Sequence, residues 1–358
     1  MLSARKAVQV MHEYHPPLAG RQGLRLDFNE NTEGCSPHVL ARIRQITAEE
    51  LARYPERQPV EAVVAEYLGL PKEQVLLTNG VDEAIHLLCE TYLDGADEVL
   101  VVTPTFSMYE IFAEATGAMV VRVECGEDFE FPFDKVLQAI TPATRFIAVA
   151  SPNNPTGGVA TRAQLLAIAK RAPNAALLVD EAYYEFHGKT VLSEVVGEKS
   201  LFVARTFSKA YGLAGLRIGI LAGPREQMRM VRRVSSPYSV NAVALAALPV
   251  ALEDGGYVAK YVEQVKAGRL RLERELTRVG IQWWPSEAYF VLMKIGERHR
   301  EFAAAMRQHG MLVRDRSNDP GCDGCVRITL GTVAQTDRLL GAMREVLARL
   351  KLGLEVRA

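Results

Sequence analysis

No run of apolar residues in the sequence approaches the ~18 that a membrane-crossing helix needs, so no spanning segment is expected. Residues 1–20 lack the apolar stretch of a secretory signal, and charged or polar side chains recur through them. The cytoplasm is the expected compartment. No one sign of charge dominates: 42 Lys and Arg stand against 43 Asp and Glu, a formal charge of −1. That balance argues against a nucleic-acid partner held by a broad basic face, and leaves room for a local basic pocket. Cysteine is scarce, at five in 358 residues, which does not make a disulfide framework. Cys322 and Cys325 form a Cys-Asp-Gly-Cys pair. A closed zinc site needs two more ligands at suitable spacing, and none follows. Free thiols beside a turn are therefore expected, and no metal. The sequence also lacks a low-complexity linker and an internal repeat.

What is present is enough apolar material for a large core without staples: 48% of residues are hydrophobic and 24% charged. The length suggests about two or three folding units. Between residues 73 and 222 short apolar runs alternate with amphipathic stretches. The runs are Val75–Thr78, Val99–Thr103, Met119–Val123, Phe146–Ala150, Ala176–Asp180, Leu201–Thr206 and Arg217–Leu221. Several are apolar on consecutive positions, as strands buried on both faces are. After the first run, Ile85, Leu88, Cys89, Tyr92 and Leu93 repeat at helical spacing. Strand, helix, strand in repetition predicts an α/β large domain, with a mostly parallel seven-stranded sheet flanked by helices.

Beyond residue 223 the pattern changes. Helical stretches at Asn241–Glu253, Gly256–Val279 and Arg300–His309 mix with strand patterns at Tyr289–Lys294 and Val326–Leu330. A closing helix carries Leu339, Leu340, Met343, Val346, Leu347 and Leu350. The expected division is an N-terminal segment (1–30) packing near the active site, a large domain (31–250) and a smaller α+β C-terminal domain (251–358).

Polar residues collect where the strand runs end, the edge at which open α/β sheets bind ligands. Gly80, Val81 and Asp82 join a strand to a helix start, whose amides can hold an anion; an acid-capped turn would read the same way. Ser151 to Gly158 contains two X-Pro bonds and two asparagines, suited to a rigid turn or to hydrogen-bonding a ligand oxygen. Asp180, followed by Glu181, Ala182 and Tyr183, ends a buried strand. A carboxylate there needs a cationic partner, from a ligand or from a neighbouring Arg or Lys. Ser208, Lys209 and Arg217 put a hydroxyl, an amine and a guanidinium among small residues. A lysine crowded by other cations in a poorly solvated pocket becomes a usable nucleophile; the plain alternative is a solvated loop lysine. An amine nucleophile, an anion cradle and a strand-end carboxylate are together what pyridoxal phosphate requires.

These motifs, in order and spacing, resemble the fold-type I pyridoxal-phosphate aminotransferases, and among them most closely the histidinol-phosphate branch. The resemblance runs through Leu-Asp-Phe-Asn-Glu-Asn (26–31), Arg-Tyr-Pro (53–55), Pro-Thr-Phe-Ser-Met-Tyr (104–109), Asn-Asn-Pro-Thr-Gly (153–157), Asp-Glu-Ala-Tyr (180–183), Ser-Lys to Arg (208–217) and Val-Arg-Ile-Thr-Leu-Gly-Thr (326–332). It implies transamination between an amino donor and a 2-oxo acid, with 2-oxoglutarate as acceptor. An aromatic amino acid as donor, or a phospho-amino-acid decarboxylase on the same fold, stay open as alternatives. By resemblance, Lys209 carries the cofactor as a Schiff base and moves the proton, and Asp180 keeps the pyridine nitrogen protonated. Asn154 and Tyr183 hydrogen-bond the phenolic oxygen, and Phe106 stacks on the ring. Ser208, Arg217 and the amides of Gly80 to Asp82 hold the cofactor phosphate, while Tyr54 reaches the cofactor of a partner subunit in a homodimer. Arg327 grips the substrate α-carboxylate, Arg314 its phosphate, and Tyr14 covers the mouth, with Asn154 also facing the substrate. The sequence departs from the family at Thr32, where Pro is expected, and in the N-terminal segment around residues 13–20. Both departures bear on the substrate mouth.

Overall fold

The computed structural model describes residues 2–15 and 20–353. A short strand, β1 (Leu24–Arg25), precedes the large sheet. The apolar runs become β2 (Val75–Thr78), β3 (Glu98–Thr103), β4 (Met119–Glu124), β5 (Thr144–Ala150), β6 (Ala176–Asp180), β7 (Leu201–Thr206) and β8 (Gly219–Ala222). They lie in the order β2-β8-β7-β6-β5-β3-β4. Strands β6 and β7 are buried along their whole length, which is why they are apolar without alternation as far as Val179 and Ala204. Within this sheet β8 alone runs against its neighbours.

That reversal brings the start of β8 to the edge where β2 and β7 end. Gly219 pairs with Thr78 on one side and with Thr206 on the other. The expected strand at 217–221 is corrected here: Arg217 stands outside it with φ +51°, a left-handed turn that frees its side chain from the sheet faces. The stripe on the helix Gly80–Tyr92 packs inward as its spacing predicts, with Ile85, Leu88, Cys89 and Leu93 buried.

The later part of the chain adds β9 (Phe290–Lys294), β10 (Met311–Leu312), β11 (Arg314–Asp315) and β12 (Cys325–Thr329). An antiparallel sheet in the order β11-β12-β9 packs with the helices Gly255–Arg278, His299–Gln308 and Val333–Arg349. Strand β1 pairs in parallel with β10, a contact no local pattern announced. It carries the N-terminal segment across to the C-terminal elements and sets residues 26–32 over the edge of the large sheet. Thr32 accounts for one departure from the family. Its amide donates to the Tyr261 hydroxyl at 3.2 Å and its hydroxyl to Gln335 Oε1 at 2.5 Å, bonds that proline cannot make. Of the N-terminal segment noted above, residues 16–19 lie outside the described residues. No single helix among the described residues is long and apolar enough to cross a bilayer.

Candidate active site

The ends of β3, β5, β6 and β7 open on one cavity of about 540 Å³, a size usual for small-molecule sites. Lys209 stands three residues beyond β7. Its Nζ donates to the Asn29 carbonyl at 3.0 Å and lies 3.5 Å from the Phe28 carbonyl. Burial, reinforced by the charges of Arg327 and Arg217, lowers this amine to about 8.

Asp180 closes β6 and is buried. Its Oδ2 accepts from the Tyr109 hydroxyl at 2.6 Å and its Oδ1 from the Ala182 amide at 2.9 Å. Burial raises the carboxyl to about 6, although both hydrogen bonds pull the other way. A buried acid with that residual cost is suited to a cationic N–H partner.

The Tyr183 hydroxyl accepts from Asn29 Nδ2 at 3.0 Å, and burial pushes its phenol up. Asn154 Oδ1 accepts from Arg327 Nη1, while Arg327 Nη2 donates to the Asp27 carbonyl at 2.5 Å. Arg217 lies 3.1 Å from Asp82 Oδ2 and 3.4 Å from Ser208 Oγ. The acids near Gly80, which would compete with a bound anion, are thus occupied: Asp82 with Arg217, and Glu83 with the Asn79 amide at 2.5 Å. Phe106 sits edge-to-face on Tyr109 with centroids 5.8 Å apart. Two guanidiniums lie over the Phe28 ring, Arg21 at 4.4 Å and Arg314 at 4.9 Å from its centroid.

The cavity wall thus gathers Tyr14, Val81, Asp82, Phe106, Asn154, Asp180, Tyr183, Ser208, Lys209, Arg217, Arg314 and Arg327. Gly80 lies beneath the Arg217 guanidinium. Tyr54 is elsewhere, 79% exposed and stacked on Tyr238 with centroids 4.6 Å apart. Cys322 and Cys325 are buried free thiols in a small cluster with Phe129, Trp284 and Leu292. Among the described residues no three His, Cys, Asp or Glu side chains gather to hold a metal.

Among the residues of this wall that sequence reasoning passed over are Tyr109, Asn29, Arg316 and Asp319. Tyr109 stood three residues beyond Phe106, in the same quoted motif. Asn29 has φ +52°, and its four hydrogen-bond partners, Tyr183, Lys209, Tyr289 and Thr329, all lie far along the chain. Arg316 and Asp319 stand two and five residues beyond Arg314, in a stretch with no periodic pattern.

The family described as aminotransferase class I and II matches residues 21–343. The chain is 34% identical over 346 residues to a histidinol-phosphate aminotransferase of Moorella thermoacetica, spanning 94% of this chain and 89% of that protein. It is 34% identical over 328 residues to a histidinol-phosphate aminotransferase of Methanococcoides burtonii, spanning 90% of each. In fold it resembles the crystal structure of histidinol-phosphate aminotransferase from Sinorhizobium meliloti in complex with pyridoxal-5′-phosphate. The TM-score is 0.86 at 24% identity, covering 96% of this chain and 97% of that one.

Proposed function

The chain belongs to the class I and II aminotransferases, and from that premise we propose that it moves the amino group of histidinol phosphate to 2-oxoglutarate. Its cofactor is pyridoxal 5′-phosphate. The donor set fits that group. A cationic amine, a buried acid and a phenol meet in one cavity, and at Gly80 a Cβ would come within 2.5 Å of Arg217 Nη2. Bound, the cofactor supplies an aldehyde for the donor's amine and a ring that draws electrons from the adjoining carbon.

The residues divide the remaining work. Lys209 Nζ holds the aldehyde carbon and moves a proton at the donor's Cα; with its pKa near 8, a usable fraction is unprotonated close to neutral pH. Asp180 holds a proton on the ring nitrogen, and Tyr109 keeps its carboxylate oriented. Tyr183 and Asn154 orient the phenolic oxygen, and Phe106 covers the ring. Ser208, Arg217 and the amides from Gly80 to Asp82 bind the cofactor phosphate. Arg327 holds the acceptor's α-carboxylate, Arg314 the donor's phosphate, and Tyr14 covers the mouth.

One observation carries the choice of donor: Arg314 lies directly opposite Arg327 in the β11–β12 ladder, and both face the cavity that contains Lys209. The exposed Tyr54–Tyr238 stack supports a homodimer in which Tyr54 reaches the partner's site. The division into residues 1–30, 31–250 and 251–358, and the cytoplasmic location, belong to the same proposal.

A donor screen that follows conversion of the bound cofactor to pyridoxamine phosphate tests the reading. Histidinol phosphate should convert it fastest, and carbon dioxide release without amino transfer would select a decarboxylase instead. Arg314→Ala should lower kcat/KM for histidinol phosphate about 10- to 100-fold, the worth of a charge-assisted hydrogen bond, and for phenylalanine far less. Equal losses would favour an aromatic donor.

Gly80→Ala adds strain twice, through φ +74° and through the contact with Arg217. Cofactor affinity, measured by equilibrium dialysis, should fall about tenfold or more. An unchanged affinity would remove Gly80 and Arg217 from the phosphate cradle.

A further inference from the structure

Arg314 pairs with Arg327 across β11 and β12, and Asp315 with Val326. The pairing continues one step past β11, where the Arg316 amide donates to the Cys325 carbonyl at 2.9 Å. Side chains alternate between the faces of a strand, so Arg314 and Arg316 share a face with Arg327. Asp315 takes the other face, its carboxylate 2.8 Å from His299 Nδ1. All three guanidiniums line the active-site cavity.

Like charges opposed on one sheet face are destabilising, and Arg327 registers it. Burial lowers its guanidinium to about 10, and among the charges that add to this effect Arg316 comes before Arg314. One acid faces the cluster from the following turn. The Asp319 amide donates to the Arg316 carbonyl at 2.9 Å, and its carboxylate is in ion-pair contact with the Arg316 side chain. Asp319 lines the cavity too. The Nε atoms of Arg316 and Arg327 are buried with no partner in the protein. Three cations against one anion leave two positive charges, close to the ≈ −1.5 to −2 of a phosphate monoester at pH 7.

We infer that Arg316 is a third anion-binding guanidinium of the substrate site, held in place by Asp319 as an internal counterion, and that it selects doubly charged head groups over singly charged ones. The substrate class rests on the donor proposed above; the anion site itself does not.

Inorganic phosphate is the probe, titrated by calorimetry into the holoenzyme, whose cofactor already fills the other phosphate cradle. Arg316→Gln should weaken its binding about 10- to 100-fold, as removal of a charge-assisted hydrogen bond implies. The ratio of kcat/KM for histidinol phosphate over histidinol should fall by a similar factor, with Arg316→Lys recovering part of both losses. Asp319→Asn separates binding from bracing. It breaks the ion pair but keeps the guanidinium, so phosphate affinity should hold or rise. Were Arg316 only a brace for the turn, both variants would lose affinity alike, and the inference would fall. It would fall equally if Arg316→Gln bound phosphate as the parent does, or if the parent bound none. Phosphate binding that depends on Arg316, without turnover of histidinol phosphate, would sink the donor assignment and leave this inference standing.

Discussion

Lys209→Ala should abolish turnover, with a loss of about 10⁴-fold or more, because one substitution removes both a nucleophile and a proton carrier. It should also end covalent attachment: borohydride treatment would label the peptide containing residue 209 in the parent protein and nothing in the variant. The side chain is a poor solvated cation and a good reactive amine for one reason. Burial comes first, then the charges of Arg327 and Arg217, and together they bring it to about 8. The sign gives a second test. A lowered pKa means the protonated form is disfavoured, so the free amine prevails above about pH 8 and declines roughly tenfold per unit below it. The rate at which the apo form takes up its cofactor should follow that curve. Turnover that survives in the variant, or a label on another peptide, would contradict the account.

Asp180→Asn should cut the rate of converting the bound cofactor to its pyridoxamine form about 10²- to 10³-fold, the usual cost of removing one preorganised electrostatic contact from a reaction centre. Asparagine keeps the volume, and its single amide oxygen can still accept from the Ala182 amide, while its Nδ2 takes the place of Oδ2 and can donate to the Tyr109 hydroxyl once that hydroxyl rotates. What it loses is the charge that holds a proton on the ring nitrogen. Attachment to Lys209 should therefore persist, visible as the yellow absorption band, while single-turnover conversion slows. A loss below about tenfold would mean that the charge at position 180 is not what the ring requires.

The large sheet was legible because a strand buried on both faces is apolar over most of its length, and all seven of its runs differ from the observed strands by no more than two residues at either end. The seventh moved because Arg217 adopts a left-handed turn, which periodicity does not encode. The strand-end polar clusters were also legible, since a polar residue after such a run has only the sheet edge to occupy. Less could be read where a contact depends on two distant segments. Asn29 and Tyr183 are 154 residues apart, and neither sequence neighbourhood refers to the other. The pairing of β1 with β10 rests on two residues in each strand, too few for any pattern.

The sequence by itself determined the alternation of strand and helix and the kinds of side chain at each strand end. These follow from local periodicity and from the chemistry of residues close together in the chain. Only the tertiary structure decided which ends meet. The order of the strands and the reversal of β8 bring Arg217 beside Gly80 and Ser208. The register of β11 on β12 gathers three guanidiniums on one face. Order and register are set by how whole faces pack together, and no single stretch of chain contains that information.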